Sequence, residues 1–266
     1  MSAAANSSFV KKLAANDRPT RDAAVASLSQ FLSAKKDISK KDLLKLWKGL
    51  FYCFWMSDRP RTQQRLAEDL ASLVAKVRRE NAMLFLEVFW ETMCREWPGL
   101  DVLRMDKFYM LVRRFVAAAF KLLQSEKWNE GLVEEYIRIL SEGSLHPKDQ
   151  KMPNGLRYHI TEIYLDELDK IVPAETYAES GEELPIGALV KPFEALYTDS
   201  PTKLVRKRAE ENVLRDGRLE KWGYVSTLGL DAKMGLEDAE EDSDNWLDND
   251  SDDDGDDGEE WAGIQE

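Results

Sequence analysis

The first place to look for chemistry in this sequence is the carboxylate set of "RYHITEIYLDELDK" (157–170). Glu162, Asp166 and Asp169 stand at i, i+4, i+7, which places all three along one helix face. Converging carboxylates can hold a divalent cation that activates water against a phosphodiester, so one reading is a metal-dependent RNA-processing enzyme. The same spacing also occurs on any solvated helix whose acids pair with Lys and Arg. Other reactive side chains are few. His146 lies in the loop "SLHPKD" and His159 in a helical stretch, and neither has further ligands at metal spacing. There is no P-loop, no G-x-G-x-x-G, no paired C-x-x-C and no nucleophile elbow. No catalytic, cofactor-binding or metal-binding residue is therefore assigned, and no cofactor is expected.

Cations make the stronger pattern. Arg59, Arg61 and Arg65 surround Pro60 in "FYCFWMSDRPRTQQRLAEDL", where one helix ends near Met56 and another begins near Pro60. Basic side chains at a helix N-terminus oppose the dipole by roughly 0.3–1 kcal/mol. Either Glu68, Asp69 or a neighbouring helix absorbs these charges, or an anionic partner does. Asp58 or Ser57 is expected to cap the second helix. Further along, Arg104, Lys107, Arg114 and Lys121 fall near one stripe, the last three seven residues apart and drifting about 20° per heptad, with Arg113 to one side. "KLVRKRAEEN" clusters Lys203, Arg206, Lys207 and Arg208, and "AKKDISKKDLLKLWKG" clusters Lys35, Lys36, Lys40, Lys41, Lys45 and Lys48. Such stripes suit a phosphate backbone, and equally a solvated face paired with Glu and Asp. "RKR" could also be read by a nuclear import receptor. No RRM-like, KH-like or zinc-finger signature is present, so RNA contact would be by charge and shape.

The elements that position these residues are helices. Ser39 and Asp42 form a capping box before Leu43, Trp47, Leu50, Phe51 and Phe54, spaced i, i+4, i+7, i+8, i+11. The next helix carries Leu66, Leu70, Leu73, Val74 and Val77. "NAMLFLEVFWETMCREW" is apolar on most sides, which places it centrally. The long helix after Pro98-Gly99 aligns Phe108, Leu111, Val112, Phe115, Ala119 and Leu122, and "NEGLVEEYIRILSEG" stops at Gly143. A loop (144–155) and a helix carrying Ile160, Ile163, Tyr164, Glu167 and Leu168 follow. A linker, "PAETYAESGEELP", precedes a helix interrupted at Pro192, and "PTKLVRKRAEENVLRDGRLEKWG" reads as one last helix. A short first helix is expected in "SSFVKKLAAND". Nine or ten helices with no strand, paired about every 40 residues, imply an all-α, irregular stacked-helix (HEAT/armadillo-like) array. Such arrays serve more often as binding surfaces than as catalytic scaffolds.

Composition divides the chain. Of 50 acidic residues, 16 lie in 237–266, which has no Lys or Arg; the 34 left in 1–236 face 37 basic residues, so that part is about +3 against −13 for the whole. The expected organisation is an all-helical domain over 1–225, a linker over 226–236 and a disordered acidic tail over 237–266. Trp246 and Trp261 stand out in that tail, either as chance hydrophobes or as acidic-aromatic docking motifs. The tail could also hold basic proteins by charge. Cys53 and Cys94 lie among apolar residues and read as buried free thiols of a reducing compartment. The N-terminal stretch has no signal-peptide core, and "GLFYCFWM" is too short to span a bilayer, so no membrane partner is expected.

Three stretches are also familiar. "KLWKGLFYCFWMSDRPRTQQRLAEDLASLV" (45–74), "DKFYMLVRRFV" (106–116) and "PNGLRYHITEIYLDEL" (153–168) together resemble the eukaryotic ribosomal RNA processing protein 1 family, also called the nucleolar Nop fifty-two family. Trp47, Gly49, Trp55, Ser57, Asp58, Pro60 and Gln63 carry the most specific part, and "LVKPFEALYTDSPTKLVRKRAEENV" (189–213) fits as well. The resemblance covers roughly 8–225. Many members continue into a long basic extension, whereas this chain ends in an acidic tail, as short fungal-type members do. The resemblance implies an all-helical, non-catalytic scaffold of the nucleus and nucleolus. It implies an assembly factor of the large (60S) ribosomal subunit precursor that is needed for pre-rRNA processing and contacts other assembly factors and pre-rRNA.

Overall fold

A computed structural model describes residues 12, 15, 17–226 and 228. The expected first helix lies mostly outside these residues, and so do Trp246, Trp261, most of the 226–236 linker and the 237–266 tail.

Eleven helices and no strand occur among the described residues: α1 (Arg18–Ala34), α2 (Lys40–Trp55), α3 (Pro60–Lys76), α4 (Arg79–Glu96), α5 (Val102–Ser125), α6 (Glu130–Glu142), α7 (Asn154–Asp169), the single turn α8 (Tyr177–Ser180), α9 (Ile186–Asp199), α10 (Lys203–Ala209) and α11 (Arg218–Lys221). Local chemistry sets several of their starts. The carboxylate of Asp17 accepts from the Thr20 N–H at 3.0 Å, the Ser39 hydroxyl from Asp42 at 3.1 Å, and Asp101 from Arg104 at 3.2 Å. Gly143 ends α6 where a Cβ would stand 2.7 Å from the Ile139 carbonyl, so only glycine fits.

Most long helices pack on the next-but-one helix, and past the single turn α8 the pairs become α6 with α9 and α7 with α10. One layer runs α1–α3–α5–α7–α10 and the other α2–α4–α6–α9, the arrangement of a stacked-helix array. Trp47 of α2 joins the layers. It meets Phe85 and Phe89 of α4 at 5.2 and 5.1 Å between ring centroids and Phe115 of α5 at 5.2 Å, while Phe89 and Phe115 stack at 3.8 Å. α4 is buried around most of its circumference, as its sequence requires. A second aromatic group links Phe120, Tyr136, Tyr164 and Phe193, and the Tyr164 hydroxyl donates to the Leu189 carbonyl at 3.0 Å. Cys53 and Cys94 are free and buried, and burial pushes both thiols up to about 12.

Three local expectations are corrected. α9 continues through Pro192, because the missing N–H costs one hydrogen bond while Leu189, Val190, Phe193 and Leu196 stay buried on either side. The last helix is three pieces. α10 widens into a π turn at Glu210–Leu214, closed by Arg215 N–H to the Glu210 carbonyl at 2.9 Å, which turns Val213 and Leu214 both inward. α11 then starts afresh after Asp216, whose carboxylate accepts from the Arg218 N–H, and Trp222 donates to the Val172 carbonyl at 3.0 Å. The 173–185 linker contains a helical turn at Ala174–Thr176 and α8.

Because Trp47 touches both layers, Trp47→Ala is expected to lower unfolding free energy by about 3–5 kcal/mol. Lys45→Ala on the solvent side should stay within about 0.5 kcal/mol. Urea denaturation of the two variants checks the contrast.

Candidate interaction surface

The turn between α2 and α3 brings together the residues that the sequence marks most strongly. Met56 closes α2 and Arg59 takes the position before Pro60, so α3 begins with proline and with no side-chain cap. Neither Asp58 nor Ser57 caps it, which corrects that expectation. Asp58 is 77% exposed, and Ser57 is buried with its carbonyl turned inward. The Ser57 carbonyl accepts from the Gln63 side chain at 2.8 Å and from the Lys107 ammonium at 2.8 Å. The same ammonium donates to the Trp55 carbonyl at 2.6 Å.

Lys107 is thus not a member of a surface stripe. It is 5% exposed, its charge is spent on the turn's backbone, and Asp58 lies 4.0 Å away. Burial lowers its pKa below the usual lysine value. Its seven-residue spacing to Arg114 describes one helix side, but α5 approaches the α2–α3 turn only at its first turns, so that side changes from buried to open along the helix. Arg104 is half-buried, its guanidinium 4.0 Å over the Trp55 ring and 2.6 Å from Asp101.

The other cations fall into two groups. Arg65 pairs with Asp22 of α1 at 3.0 Å and lies 3.9 Å from Asp69. Arg114 pairs with Glu68 of α3 at 3.1 Å. Arg113 binds Glu167 and, at 3.0 Å, Asp166. Arg206 donates to the Ser200 and Pro201 carbonyls, Lys207 lies 3.9 Å from Glu211, and Arg208 binds Glu162. Arg59, Arg61, Lys121 and Lys203 are exposed and reach no carboxylate among the described residues. The last four, with the open lysines of α2, present unspent charge, as do other exposed lysines such as Lys36, Lys127 and Lys191.

The α7 carboxylates do not converge. Glu162 holds Arg208 of α10, Asp166 holds Arg113 and, at 3.1 Å, Arg218, and Asp169 accepts from the Ala174 N–H at 2.8 Å. Among the described residues no group of three His, Cys, Asp or Glu side chains could hold a metal ion. The metal-enzyme reading therefore loses the ligand set it rested on. A shallow cleft of about 370 Å³ between α5 and α7 is lined by Tyr109, Arg113, Arg114, His159, Glu167 and Lys170. Its buried Glu167 also holds Lys170 at 2.6 Å, so the cleft's charges are largely matched internally. His159 is a packed histidine, its Nε2 2.8 Å from the Tyr109 carbonyl, to which it donates, and burial lowers its pKa. His146 accepts at Nδ1 from the Lys148 and Asp149 N–H groups and so organises its own loop.

Sequence reasoning passed over some residues here. Tyr52, Met56, Val102 and Leu103 are large, apolar and exposed, the first two beside Trp55 in sequence and the last two beside Arg104. For Tyr52 and Met56 the signal was present, because helical spacing sets them opposite Trp47, Leu50 and Phe54.

The chain matches the family model described as "Nucleolar protein, Nop52" over residues 4–264. It is similar to human ribosomal RNA processing protein 1 homolog A, 36% identical over 236 residues that make up 86% of this chain and 48% of the relative. Human homolog B is 42% identical over 177 residues, 64% of this chain and 23% of the relative. A Caenorhabditis elegans homolog is 36% identical over 165 residues, 60% of this chain and 41% of the relative. The aligned part thus spans about a quarter to a half of these relatives' length.

Two measurements check the geometry. Lys107→Met strands buried carbonyls and is expected to cost about 1–3 kcal/mol in urea denaturation. For His159 the folded pKa lies below the unfolded value of 6.5, so the unfolded state takes up protons first on acidification. Stability should be full above about pH 6.5 and decline below it, and His159→Gln should flatten that decline between about pH 7.5 and pH 5.

Proposed function

Because the chain belongs to the nucleolar Nop52 family of ribosomal RNA processing proteins, we propose that it is a nucleolar, non-catalytic assembly factor of the large ribosomal subunit precursor. It acts as a scaffold in pre-rRNA processing by contacting other assembly factors, with pre-rRNA contact through backbone charge. The observation that carries this reading is the division of charge. The carboxylates that could have served catalysis are paired with arginines or a backbone N–H, while Arg59, Arg61, Lys121 and Lys203 stay open on an array surface. A two-layer array offers long edges for docking and a poor enclosure for a reacting group.

The test is sedimentation of the tagged protein from a cell lysate at low and high salt, with pre-rRNA probed in each fraction. Co-migration with large-subunit precursors that survives high salt is expected. Migration at the top of the gradient in both salts overturns the reading. Arg59→Glu with Arg61→Glu should weaken particle association at low salt and lower its dependence on salt, while stability changes by less than about 0.5 kcal/mol.

A further inference from the structure

The solvent face of α2 has a composition that internal packing does not explain. Lys41, Lys45, Lys48, Tyr52 and Met56 fall within an arc of about 80° at 3.6 residues per turn, opposite the buried Leu43, Trp47, Leu50 and Phe54. All five are exposed, and none of the three lysines lies within ion-pair distance of a carboxylate among the described residues. The only acid on α2 is Asp42, which belongs to the Ser39 cap and lies 4.0 Å from Lys35. Lys40, on the other side, is held by Glu87 and Glu91.

The row ends in two exposed apolar side chains, and α5 opens with two more. Tyr52 is 46% exposed, Met56 63%, Val102 87% and Leu103 93%. These are four of the six large apolar side chains most exposed among the described residues; Tyr52 and Met56 lie beside Trp55 in sequence and Val102 and Leu103 beside Arg104, whose guanidinium lies over the Trp55 ring. Arg59 and Arg61 continue the positive charge past the turn. At the margin, Asp101 is engaged by Arg104, Asp58 lies beside Lys107, and Asp106 stands one turn along α5.

We infer that this face docks an acidic amphipathic protein segment, with aliphatic or aromatic anchors on Tyr52, Met56, Val102 and Leu103 and carboxylates along the lysine row. Charge complementarity selects an anionic partner, since the α2 row offers three open lysines and the one acid of α2, Asp42, belongs to the Ser39 cap. The apolar end selects protein over RNA. Val, Leu and Met bring no stacking surface for bases and no donor for phosphate, and Tyr52 is the most exposed aromatic among the described residues. Exposed aliphatic clusters rimmed by cations are what an apolar anchor of a protein partner covers. The row from Lys41 to Met56 is about 22 Å long, the length of a four-turn partner helix lying alongside.

This inference rests on the assembly-factor reading, and its test separates the two. A photo-crosslinking amino acid replaces Tyr52 or Leu103, with Lys121 as the control position, and particle fractions are irradiated. Protein adducts are expected at Tyr52 and Leu103. Sequencing of the crosslinked peptide should show several Asp or Glu with apolar residues at helical spacing. The yield at Tyr52 should fall at least tenfold with Lys41→Glu, Lys45→Glu and Lys48→Glu combined, and also with Met56→Asp and Leu103→Asp combined. Circular dichroism and thermal unfolding confirm that the variants fold. RNA adducts alone, or loss with the lysine set but none with the apolar set, identify an RNA backbone site and overturn the inference. So does the absence of any adduct from particles that do contain the protein, which leaves the assembly-factor reading standing. Absence of the protein from particles overturns that reading instead.

Discussion

The placement of the Lys107 ammonium inside the α2–α3 turn is the constraint on which the working surface depends. A buried cation is costly unless donors and acceptors match, and here two main-chain carbonyls accept from it. Those carbonyls belong to Trp55 and Ser57, the last residues before the chain reverses. One side chain therefore satisfies the exposed end of α2, joins it to α5 and sets the direction in which Met56, Asp58 and Arg59 leave the fold. Aromatic packing behind the turn completes the hold, with Phe108 against both Phe51 and Phe54.

Charge elsewhere follows the same economy of matched groups. The inner partners are long-range: Arg65 with Asp22, Arg114 with Glu68, Arg113 with Glu167, Arg208 with Glu162. Each ties a helix to the adjacent helix of its own layer, so these pairs report the stacking of the array. Exposed pairs of this sort add little stability individually, but they remove charge from the surface. What remains open is a smaller set of cations, Arg59, Arg61, Lys121 and Lys203 among them.

Family membership and this distribution support each other through independent observations. The names of the similar proteins concern ribosomal RNA processing, and the α7 acids, which could have suggested hydrolysis, are engaged by arginines of α5, α10 and α11 and by the turn after α7. Protein contacts and phosphate contacts call for different surfaces. The mixed apolar and cationic face of α2 suits the former, and isolated open cations such as Lys121 and Lys203 suit the latter.

The sequence by itself determined the helical class, nearly all of the long helices and their buried faces. A 3.6-residue apolar period, the cap at Ser39 and stops at Pro98 and Gly143 are local signals that need no partner. It also determined the family, through "LWKGLFYCFWMSDRP". Tertiary structure alone decided which cations are available. Lys107, Arg114 and Lys121 share a spacing, yet one is buried in a turn, one is paired and one is open, because their neighbours come from residues about 50 positions away for the first two. The same holds for the missing cap at Asp58, the intact helix through Pro192 and the π turn at Glu210. Each depends on which side chains the second layer presses against that point, and no window along the chain contains that information.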